Sequence, residues 1–383
     1  MRGYSFFIEQ KCRIYAAFGV SQTPIFNKKE GVISASENRS LAPFPKFYNA
    51  DGTFNLDYLQ DVEVWFNDNL GFRDYLVEAD ALIKYYAFDR LNGMRLGVNG
   101  ELTPFYSLAD YQHTNLLDED GLDEVTDSYQ TIYDYLDSLG IQVYYIQCWD
   151  KQTIYPEQYR NTIQVLNDYS MTDQVERALL DNTDIDVVPI KETLIRLKDK
   201  YNIFGPWTEP WHWLWRGAFV GYTELITEIN NENNNKYYAL CENDMNIDIK
   251  DVGLTYYGYI HQTDEEEVLT LRDPHAVLRP IQYMPDESWG GHAKYFVNNS
   301  VDNEDTILVL GDSYFHDYGV IYCLAESFHT TIMFNGSAAT NDHLIKIIDT
   351  YKPDIVVFEN AERCNYRFSE AVGIANDITS HVL

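Results

Sequence analysis

Ser313 stands in a setting typical of a reactive side chain. It follows Gly311, Asp312 and the four apolar residues 307–310, which are typical of a short buried strand. Open α/β sheets place their ligand sites at the carboxyl ends of such strands, so Ser313 is a candidate nucleophile for covalent catalysis. Asp and Ser are also common helix N-caps, so a simple capped turn is the alternative interpretation.

A serine nucleophile needs a base within hydrogen-bond reach and a group that orients this base. Ordinary GDSL-type hydrolases carry an Asp-x-x-His pair near the C-terminus, but no histidine after Ser313 has an aspartate three positions earlier. We therefore expect the base upstream, and His212 is the candidate, in an aromatic loop just before a predicted helix. Glu209 is the nearest carboxylate. A histidine packed and satisfied among tryptophans is the alternative.

The elements that must position these residues alternate as helix, glycine and strand. A helix at 124–138 ends near Gly140, and an apolar strand at 141–146 follows. The pattern predicts an α/β fold with a parallel sheet flanked by helices. Residues 236–300 are expected to be irregular and polar, with an exposed acidic run at 264–267. The other predicted elements are a pair of helices within 57–90, strands at 185–188, 330–334 and 355–358, and helices at 160–181, 190–200, 216–230, 318–327 and 341–350.

Composition limits the classes of partner. With 60 acidic and 28 basic residues the formal net charge is -32, which repels nucleic acid and anionic membrane surfaces. A neutral glycan is compatible with this charge, and the 31 tyrosines suit such a ligand. The five cysteines have neither zinc nor thioredoxin spacing, and no His, Asp or Glu cluster has metal-ligand spacing. Since no glycine-rich nucleotide loop is present either, we predict no metal and no cofactor.

Several short blocks resemble, in order, the SGNH-hydrolase-like proteins of bacterial polysaccharide O-acetylation. This is the alginate O-acetyltransferase (AlgX/AlgJ, DHHW-like) type, and the resemblance spans roughly residues 36–370. The blocks are Ser36-Glu37-Asn38-Arg39, Phe66-Asn67-Asp68 with Gly71-Phe72-Arg73, Asp150-Lys151 with Ile154-Tyr155-Pro156-Glu157, His212-Trp213 with Gly217-Ala218, Gly311-Asp312-Ser313, and Lys352-Pro353-Asp354 with Glu359 and Glu362-Arg363.

The resemblance implies an SGNH-hydrolase-like (flavodoxin-like) fold and a Ser-His-Asp triad with the serine last. Ser313 would be the nucleophile and His212 the general base, and an acetyl group would pass from a donor to a sugar hydroxyl. It also implies a polysaccharide acceptor, a membrane-bound acyl donor protein and a location outside the cytoplasm. The family's aspartate falls at Pro210 here, so Glu209 could replace it only if the loop carries an inserted residue.

Two functional hypotheses follow from this departure. The protein is an active O-acetyltransferase or esterase using Ser313, His212 and Glu209, or it is a degenerate member that binds glycan or a partner without efficient chemistry. Losing the orienting acid can cost about 10⁴ in turnover while the fold survives, so Glu209 separates the two hypotheses.

Four further residues are weaker candidates for the site. Asp150 and Lys151 follow the strand at 141–146 and could line the cleft, and Arg363 is a substrate ligand or, more simply, a structural ion-pair partner. Asn335 follows a strand and could donate to an oxyanion, or could form a plain turn. We expect residues 1–35 to be a poorly ordered leader, without a convincing export signal, and residues 36–383 to form a single domain.

Overall fold

The computed structural model describes residues 33–34, 39–69, 73–91, 94–106, 108–256, 260–285, 293–340 and 342–381. The chain divides into two compact units, Met1–Gly93 with Gly253–Gln262, and Met94–Val252 with Thr263–Leu383. The predicted leader lies outside the described residues except for Ile33–Ser34. Within the described ranges, no helix is both long enough and apolar enough to cross a membrane.

Among its described residues, the first unit includes the helices α1 and α2 and the very short strands β1, β2 and β3. Its elements are β1 (Ile33–Ser34), β2 (Arg39–Ser40), α1 (Tyr58–Asn69), α2 (Arg73–Phe88) and β3 (Arg90–Leu91). Strands β1 and β2 pair in antiparallel fashion. The pair of helices expected within 57–90 is present.

The second unit holds the large sheet and the candidate site. Its strands are β4 (Met94–Leu96), β5 (Leu102–Thr103), β6 (Gln142–Cys148), β7 (Asp186–Val188), β10 (Val277–Leu278), β11 (Lys294–Val297), β12 (Thr306–Gly311), β13 (Thr330–Asn335) and β14 (Ile355–Ala361). Its helices are α3 (Leu108–Gln112), α4 (Glu119–Ser138), α5 (Lys151–Ile154), α6 (Met171–Asn182), α7 (Lys191–Leu197), α8 (Trp215–Glu232), α9 (Ser313–Asp317), α10 (Val320–Ser327), α11 (His343–Tyr351) and α12 (Tyr366–His381). Two longer strands, β8 (Met245–Tyr256) and β9 (Ile260–Leu271), pair with each other.

The large sheet has seven strands in the order β10-β11-β13-β12-β14-β6-β7. Strands β13, β12, β14, β6 and β7 are parallel, and β11 and β10 add antiparallel pairs at one edge. Strand β12 is central, and its residues Ile307–Leu310 are at most 1% exposed. Its carboxyl end is therefore enclosed by neighbouring strand ends, as expected for a ligand site in such a sheet.

Alternation along the strands separates two apolar cores, one on each face of the sheet. Ile307 and Val309 face a core that includes α8 and α10, and Leu308 and Leu310 face a core that includes α4, α11 and α12. Because successive strand side chains point to opposite faces, an uninterrupted apolar run is what a doubly covered strand requires. The short apolar runs predicted as strands thus reflect burial on both faces.

Three expectations from the sequence are wrong. Residues 236–300 are not irregular, since β8, β9, β10 and β11 lie there, and the helix expected at 160–181 begins only at Met171. The acidic run 264–267 is not exposed throughout, because it lies within β9, where Asp264 and Glu266 are buried. Alternation in a strand turns these two acids to the opposite side from Glu265 and Glu267, and a count of charges alone does not reveal this.

Candidate active site

The carboxyl ends of four neighbouring strands bring the candidate residues to one edge of the sheet. In the ladders, Gly311 of β12 is level with Asn335 of β13, and Ala361 of β14 is level with Cys148 of β6. Ser313, Glu362 and Asp150 come directly after these strand ends. Residues far apart in the sequence therefore lie at the same edge of the sheet.

Asp312 fixes the turn that presents Ser313. Its Oδ1 accepts a hydrogen bond from the backbone N–H of Tyr314 at 2.9 Å, and its Oδ2 accepts one from Ala361 at 3.0 Å. The backbone N–H of Asp312 in turn donates to Oε2 of the fully buried Glu359 at 2.6 Å. Asp312 is thus an N-cap, as the capped-turn interpretation predicts, and the cap places Ser313 as the first residue of α9.

The loop that carries His212 is closed at its base by backbone hydrogen bonds. Phe204 and Trp213 form an isolated β-bridge, and the N–H of Leu214 donates to the carbonyl of Ile203 at 2.6 Å. Inside the loop the N–H of Gly205 donates to the carbonyl of Glu209 at 2.9 Å. These bonds give the loop a defined conformation between its two ends.

His212 contacts both other members of the predicted triad. Its Nε2 lies 2.9 Å from Ser313 Oγ, and its Nδ1 lies 3.4 Å from Glu209 Oε1. The same Oε1 accepts the backbone N–H groups of Trp211 and His212, at 2.9 and 3.1 Å. Burial acts to raise the pKa of Glu209, but His212 and these backbone donors outweigh it and hold the pKa below its ordinary value.

The position of Glu209 addresses the departure at Pro210. Two backbone N–H donors turn its carboxylate back towards Nδ1 of His212, so an acid three residues before the histidine reaches the ring. The separation of 3.4 Å lies at the long end of hydrogen-bond geometry. In this arrangement Nε2 is free to take a proton from Ser313 Oγ while Nδ1–H faces the carboxylate.

Lys151 lies underneath the His212 loop. Its side chain is 1% exposed, and its Nζ donates to the carbonyls of Leu102, Gly205 and Pro206 at 2.9, 3.0 and 3.4 Å. Burial lowers the pKa of Lys151 to about 7, although the nearby carboxylates of Asp264, Glu101 and Glu209 act to raise it. These hydrogen bonds attach the ammonium group of Lys151 to Gly205 and Pro206 of the loop.

Asp264 secures the other side of this loop. Its Oδ2 accepts hydrogen bonds from the backbone N–H of Trp207 at 2.9 Å and from the N–H and Oγ1 of Thr208, both at 2.7 Å. Since the chain between Thr208 and His212 is only three residues long, the anchor fixes where the base stands.

Asp150 and Arg363 form a buried ion pair that reaches both halves of the site. Arg363 Nη1 donates to Asp150 Oδ1 at 2.5 Å and to the carbonyl of Trp211 at 2.6 Å. The hydroxyl of Tyr314 also donates to Asp150 Oδ1, at 2.6 Å. Burial raises the pKa of Asp150, and Arg363 and Tyr314 oppose that rise. The pair therefore ties the residue before His212 to the residue after Ser313.

Asn335 ends β13 beside the nucleophile turn. Its Oδ1 accepts the N–H of Ser337 at 3.1 Å and Nη2 of Arg367 at 3.2 Å, and the same Nη2 donates to the carbonyl of Gly311 at 3.2 Å. These bonds fix the oxygen of the amide, so that Nδ2 is the end of the side chain with hydrogen atoms to offer a ligand.

Several residues that shape the site were missed by reasoning from the sequence. They are buried and form hydrogen bonds around the Ser313–His212 dyad: Trp213, Tyr314, Glu359 and Asp264. For Trp213, the following glycines could have indicated a closely packed side chain. A Cβ at Gly217 would lie 2.7 Å from an atom of Trp213, and a Cβ at Gly221 would lie 2.5 Å from one. Small residues one and two turns into α8 thus make room for the indole.

Comparison with known proteins places the fold. No protein-family model matches the chain, and no curated protein matches it in sequence. Among solved structures it is similar to Bacillus cereus PatB1, with 14% identity, a TM-score of 0.50 and coverage of 71% of this chain and 95% of that chain. A DHHW family protein from Eubacterium siraeum is 12% identical, with a TM-score of 0.49 and coverage of 77% and 97%. The O-acetyltransferase domain of Pseudomonas putida AlgJ is 13% identical, with a TM-score of 0.41 and coverage of 73% and 99%.

At such identities the likeness concerns the fold. The prediction of an α/β, SGNH-hydrolase-like fold is confirmed, with a mostly parallel sheet between two layers of helices. The fold is similar to that of PatB1.

Proposed function

We propose that this protein is a serine O-acetyltransferase, or acetylesterase, that acts on hydroxyl groups of a polysaccharide through an acetyl-enzyme on Ser313. The observation that carries the proposal is the 2.9 Å separation of His212 Nε2 and Ser313 Oγ, with the Glu209 carboxylate facing the other ring nitrogen. Nucleophile, base and orienting acid are the minimum set that acyl transfer through serine requires.

The first half-reaction forms the acetyl-enzyme. His212 Nε2 takes the proton of Ser313 as Oγ attacks the carbonyl carbon of the donor, and the imidazolium that results is stabilised by Glu209. The same proton then passes to the leaving group as its bond to the acyl carbon breaks. The N–H of Tyr314 is engaged by Asp312, so the oxyanion donors proposed here are the backbone N–H of Ser313 and Nδ2 of Asn335.

The second half-reaction repeats these steps with a sugar hydroxyl as the attacking group. His212 takes the proton of the sugar hydroxyl, and the sugar oxygen forms a bond to the acyl carbon. The bond between the acyl carbon and Ser313 Oγ breaks, and His212 returns the proton to Oγ. Water in place of the sugar gives the esterase reaction, so exclusion of water by the acceptor decides between transfer and hydrolysis.

The setting of the reaction is part of the proposal. A polysaccharide acceptor, a membrane-bound acyl donor protein and a place outside the cytoplasm are supported by the order of the sequence blocks. The net charge of -32 is compatible with a neutral glycan and disfavours nucleic acid.

A protein that only binds glycan is the competing hypothesis, and the geometry of the dyad favours catalysis over it. The test is release of 4-nitrophenol from 4-nitrophenyl acetate by the wild type, Ser313→Ala and a control, Ser380→Ala, which removes a hydroxyl from α12. We expect Ser313→Ala to lower kcat by at least about 10³-fold and Ser380→Ala to leave it unchanged. Equal rates for the wild type and Ser313→Ala would refute the nucleophile.

A further inference from the structure

Lys151 is a buried cation that the steps of the proposed acetyl transfer do not use. Its side chain is 1% exposed, and its Nζ donates to the backbone carbonyls of Leu102, Gly205 and Pro206 at 2.9, 3.0 and 3.4 Å. An ammonium group has three N–H donors, so each of its hydrogen atoms has one carbonyl acceptor here. Lys151 therefore has no hydrogen atom left to offer a substrate.

Gly205 connects this ammonium group to the acid that orients the base. Its carbonyl accepts from Lys151 Nζ, and its N–H donates to the carbonyl of Glu209 at 2.9 Å. A Cβ at Gly205 would lie 2.8 Å from the backbone nitrogen of Glu209, so the two backbone segments lie in close contact. The carboxylate of Glu209 in turn lies 3.4 Å from Nδ1 of His212. A displacement of Gly205 would therefore move the acid and the base together.

Lys151 and Leu102 are the fixed ends of this contact. Lys151 is the first residue of α5, which follows the end of β6, and Leu102 lies in β5 and is 0% exposed. The N–H of Leu102 donates to the carbonyl of Pro206 at 2.6 Å, while its own carbonyl accepts from Lys151 Nζ. The ammonium group thus attaches the His212 loop to two buried elements.

Three carboxylates act on the ammonium group, each from a different segment. They are Asp264 of β9, Glu101 before β5, and Glu209 of the His212 loop. Burial outweighs them and lowers the pKa of Lys151 to about 7. Burial also acts to raise the pKa of Glu101 and that of Glu209, but hydrogen-bond donors hold both below their ordinary values. These two carboxylates therefore stay ionised in the range where Lys151 loses its proton.

We propose that Lys151 is a positioning residue for catalysis: with all three N–H donors in place it holds Glu209 and His212 against Ser313, and the loss of one proton loosens this hold. The inference rests on the proposed function and names a control on the same site. A neutral amine has two N–H donors for three carbonyls, so one buried carbonyl loses its donor. The base is then held less well, and acetyl transfer slows while the substrate still binds.

The first test is hydrolysis of 4-nitrophenyl acetate at pH 6.5 by Lys151→Met, which replaces the ammonium group with an apolar side chain of similar length. We expect kcat to fall about 10–100-fold, because a small displacement of the base is enough to cause such a loss, and KM to stay within about twofold. Lys198→Met removes a lysine that donates to the carbonyl of Ile154, in the same helix α5, and is the control. It should keep the wild-type kcat. A wild-type kcat in Lys151→Met would overturn the inference.

The second test is the pH dependence of kcat in the wild type and in Lys151→Arg, with the rate of Ser313→Ala subtracted. The guanidinium group keeps its charge and its donors throughout the neutral range, whereas the ammonium group of the wild type does not. The other titrating groups are common to both proteins. The ratio of wild-type kcat to Lys151→Arg kcat should therefore fall about fivefold between pH 6 and pH 8.5. A ratio that does not change with pH would overturn the inference.

The free energy of unfolding distinguishes displacement of the base from loss of the fold. The folded state holds the Lys151 proton less tightly than the unfolded chain, because the pKa is about 7 in the fold and 10.5 ordinarily. The stability of the wild type relative to Lys151→Met should therefore rise as the pH increases above about 7, while kcat falls. A wild type that loses stability relative to Lys151→Met over this range would assign the lost activity to unfolding and overturn the inference.

The same measurements separate this inference from the proposed function. Equal rates for the wild type and Ser313→Ala would refute the acetyl-enzyme itself. Hydrolysis that needs Ser313 but is unchanged in Lys151→Met would refute the positioning role alone. If Lys151→Met does not fold, the ratio of wild-type kcat to Lys151→Arg kcat decides the question.

Discussion

The indole Nε1 of Trp213 donates a hydrogen bond to the backbone carbonyl of Tyr314 at 2.9 Å. This bond joins the residue after His212 to the residue after Ser313, so it runs beside the contact between the base and the nucleophile. Both partners are fully buried. This buried hydrogen bond thus links the segment that carries the base to the segment that carries the nucleophile.

Trp213→Phe should lower both kcat and the free energy of unfolding, and its loss of kcat should exceed that of a control variant at another buried tryptophan. The change removes the indole donor, leaves the carbonyl of Tyr314 unsatisfied at a cost of about 1–3 kcal/mol, and allows the dyad to separate. Turnover of 4-nitrophenyl acetate and the midpoint of urea unfolding measure the two effects.

A matched control for this prediction is Trp149→Phe. Trp149 is equally buried, and its Nε1 has no hydrogen-bond partner among the described residues. Loss of ring volume alone should therefore destabilise Trp149→Phe less than Trp213→Phe, and its effect on kcat should also be smaller. Equal losses of kcat in the two variants would show that the Trp213 hydrogen bond does not position the dyad.

Glu209→Gln should lower kcat by about 10²–10⁴-fold with little change in the unfolding midpoint. The amide keeps the size of the side chain and can still accept from the backbone of Trp211, but it carries no charge to stabilise the imidazolium of His212. Glu157→Gln, which neutralises an exposed partner of Lys198, is the control and should leave kcat unchanged. Retention of full activity in Glu209→Gln would mean that Glu209 is not the acid of a triad.

How much of this site the sequence could predict depends on the range of the interactions. Ser313 and His212 can be proposed from the sequence because a buried strand followed by Gly-Asp-Ser and a histidine beside Trp213 are local patterns. Glu209 can be proposed only as the nearest acid, since its orientation depends on backbone donors that no spacing specifies. The contact of Asp264 with Thr208 joins residues on separate elements, and a single sequence gives no sign of such a pairing.

Glu362 should make the protein less stable as the pH rises. It is buried, and burial and the nearby Asp150 carboxylate raise its pKa to about 8, although Thr153 and the backbone N–H of Asp150 bond to its carboxyl. The folded state therefore holds this proton more tightly than the unfolded state. Its contribution to stability is complete below the ordinary pKa of 4.5 and is lost as the pH rises through about 8.

The measurement for Glu362 is the free energy of unfolding of the wild type and Glu362→Gln between pH 4 and pH 9. The wild type should lose on the order of 5 kcal/mol relative to the variant across this range, because the amide never ionises. A difference between the two proteins that does not change with pH would mean that Glu362 titrates normally.

Gly311→Ala should destabilise the nucleophile turn. A Cβ at Gly311 would lie 2.6 Å from Oε2 of Glu359, whose carboxyl accepts the backbone N–H of Asp312. Because the carboxyl is fully buried and cannot swing into solvent, the added methyl must displace it, at a cost of about 1–3 kcal/mol. The displaced bond to Asp312 should also shift Ser313, so kcat for 4-nitrophenyl acetate should fall together with the unfolding midpoint.

Gly373→Ala is the matched control, since a Cβ there meets nothing within 4 Å, and as a helix-interior change it should stabilise α12 by about 0.5–1 kcal/mol. If both variants gained stability, the contact between Gly311 and Glu359 would not constrain the turn.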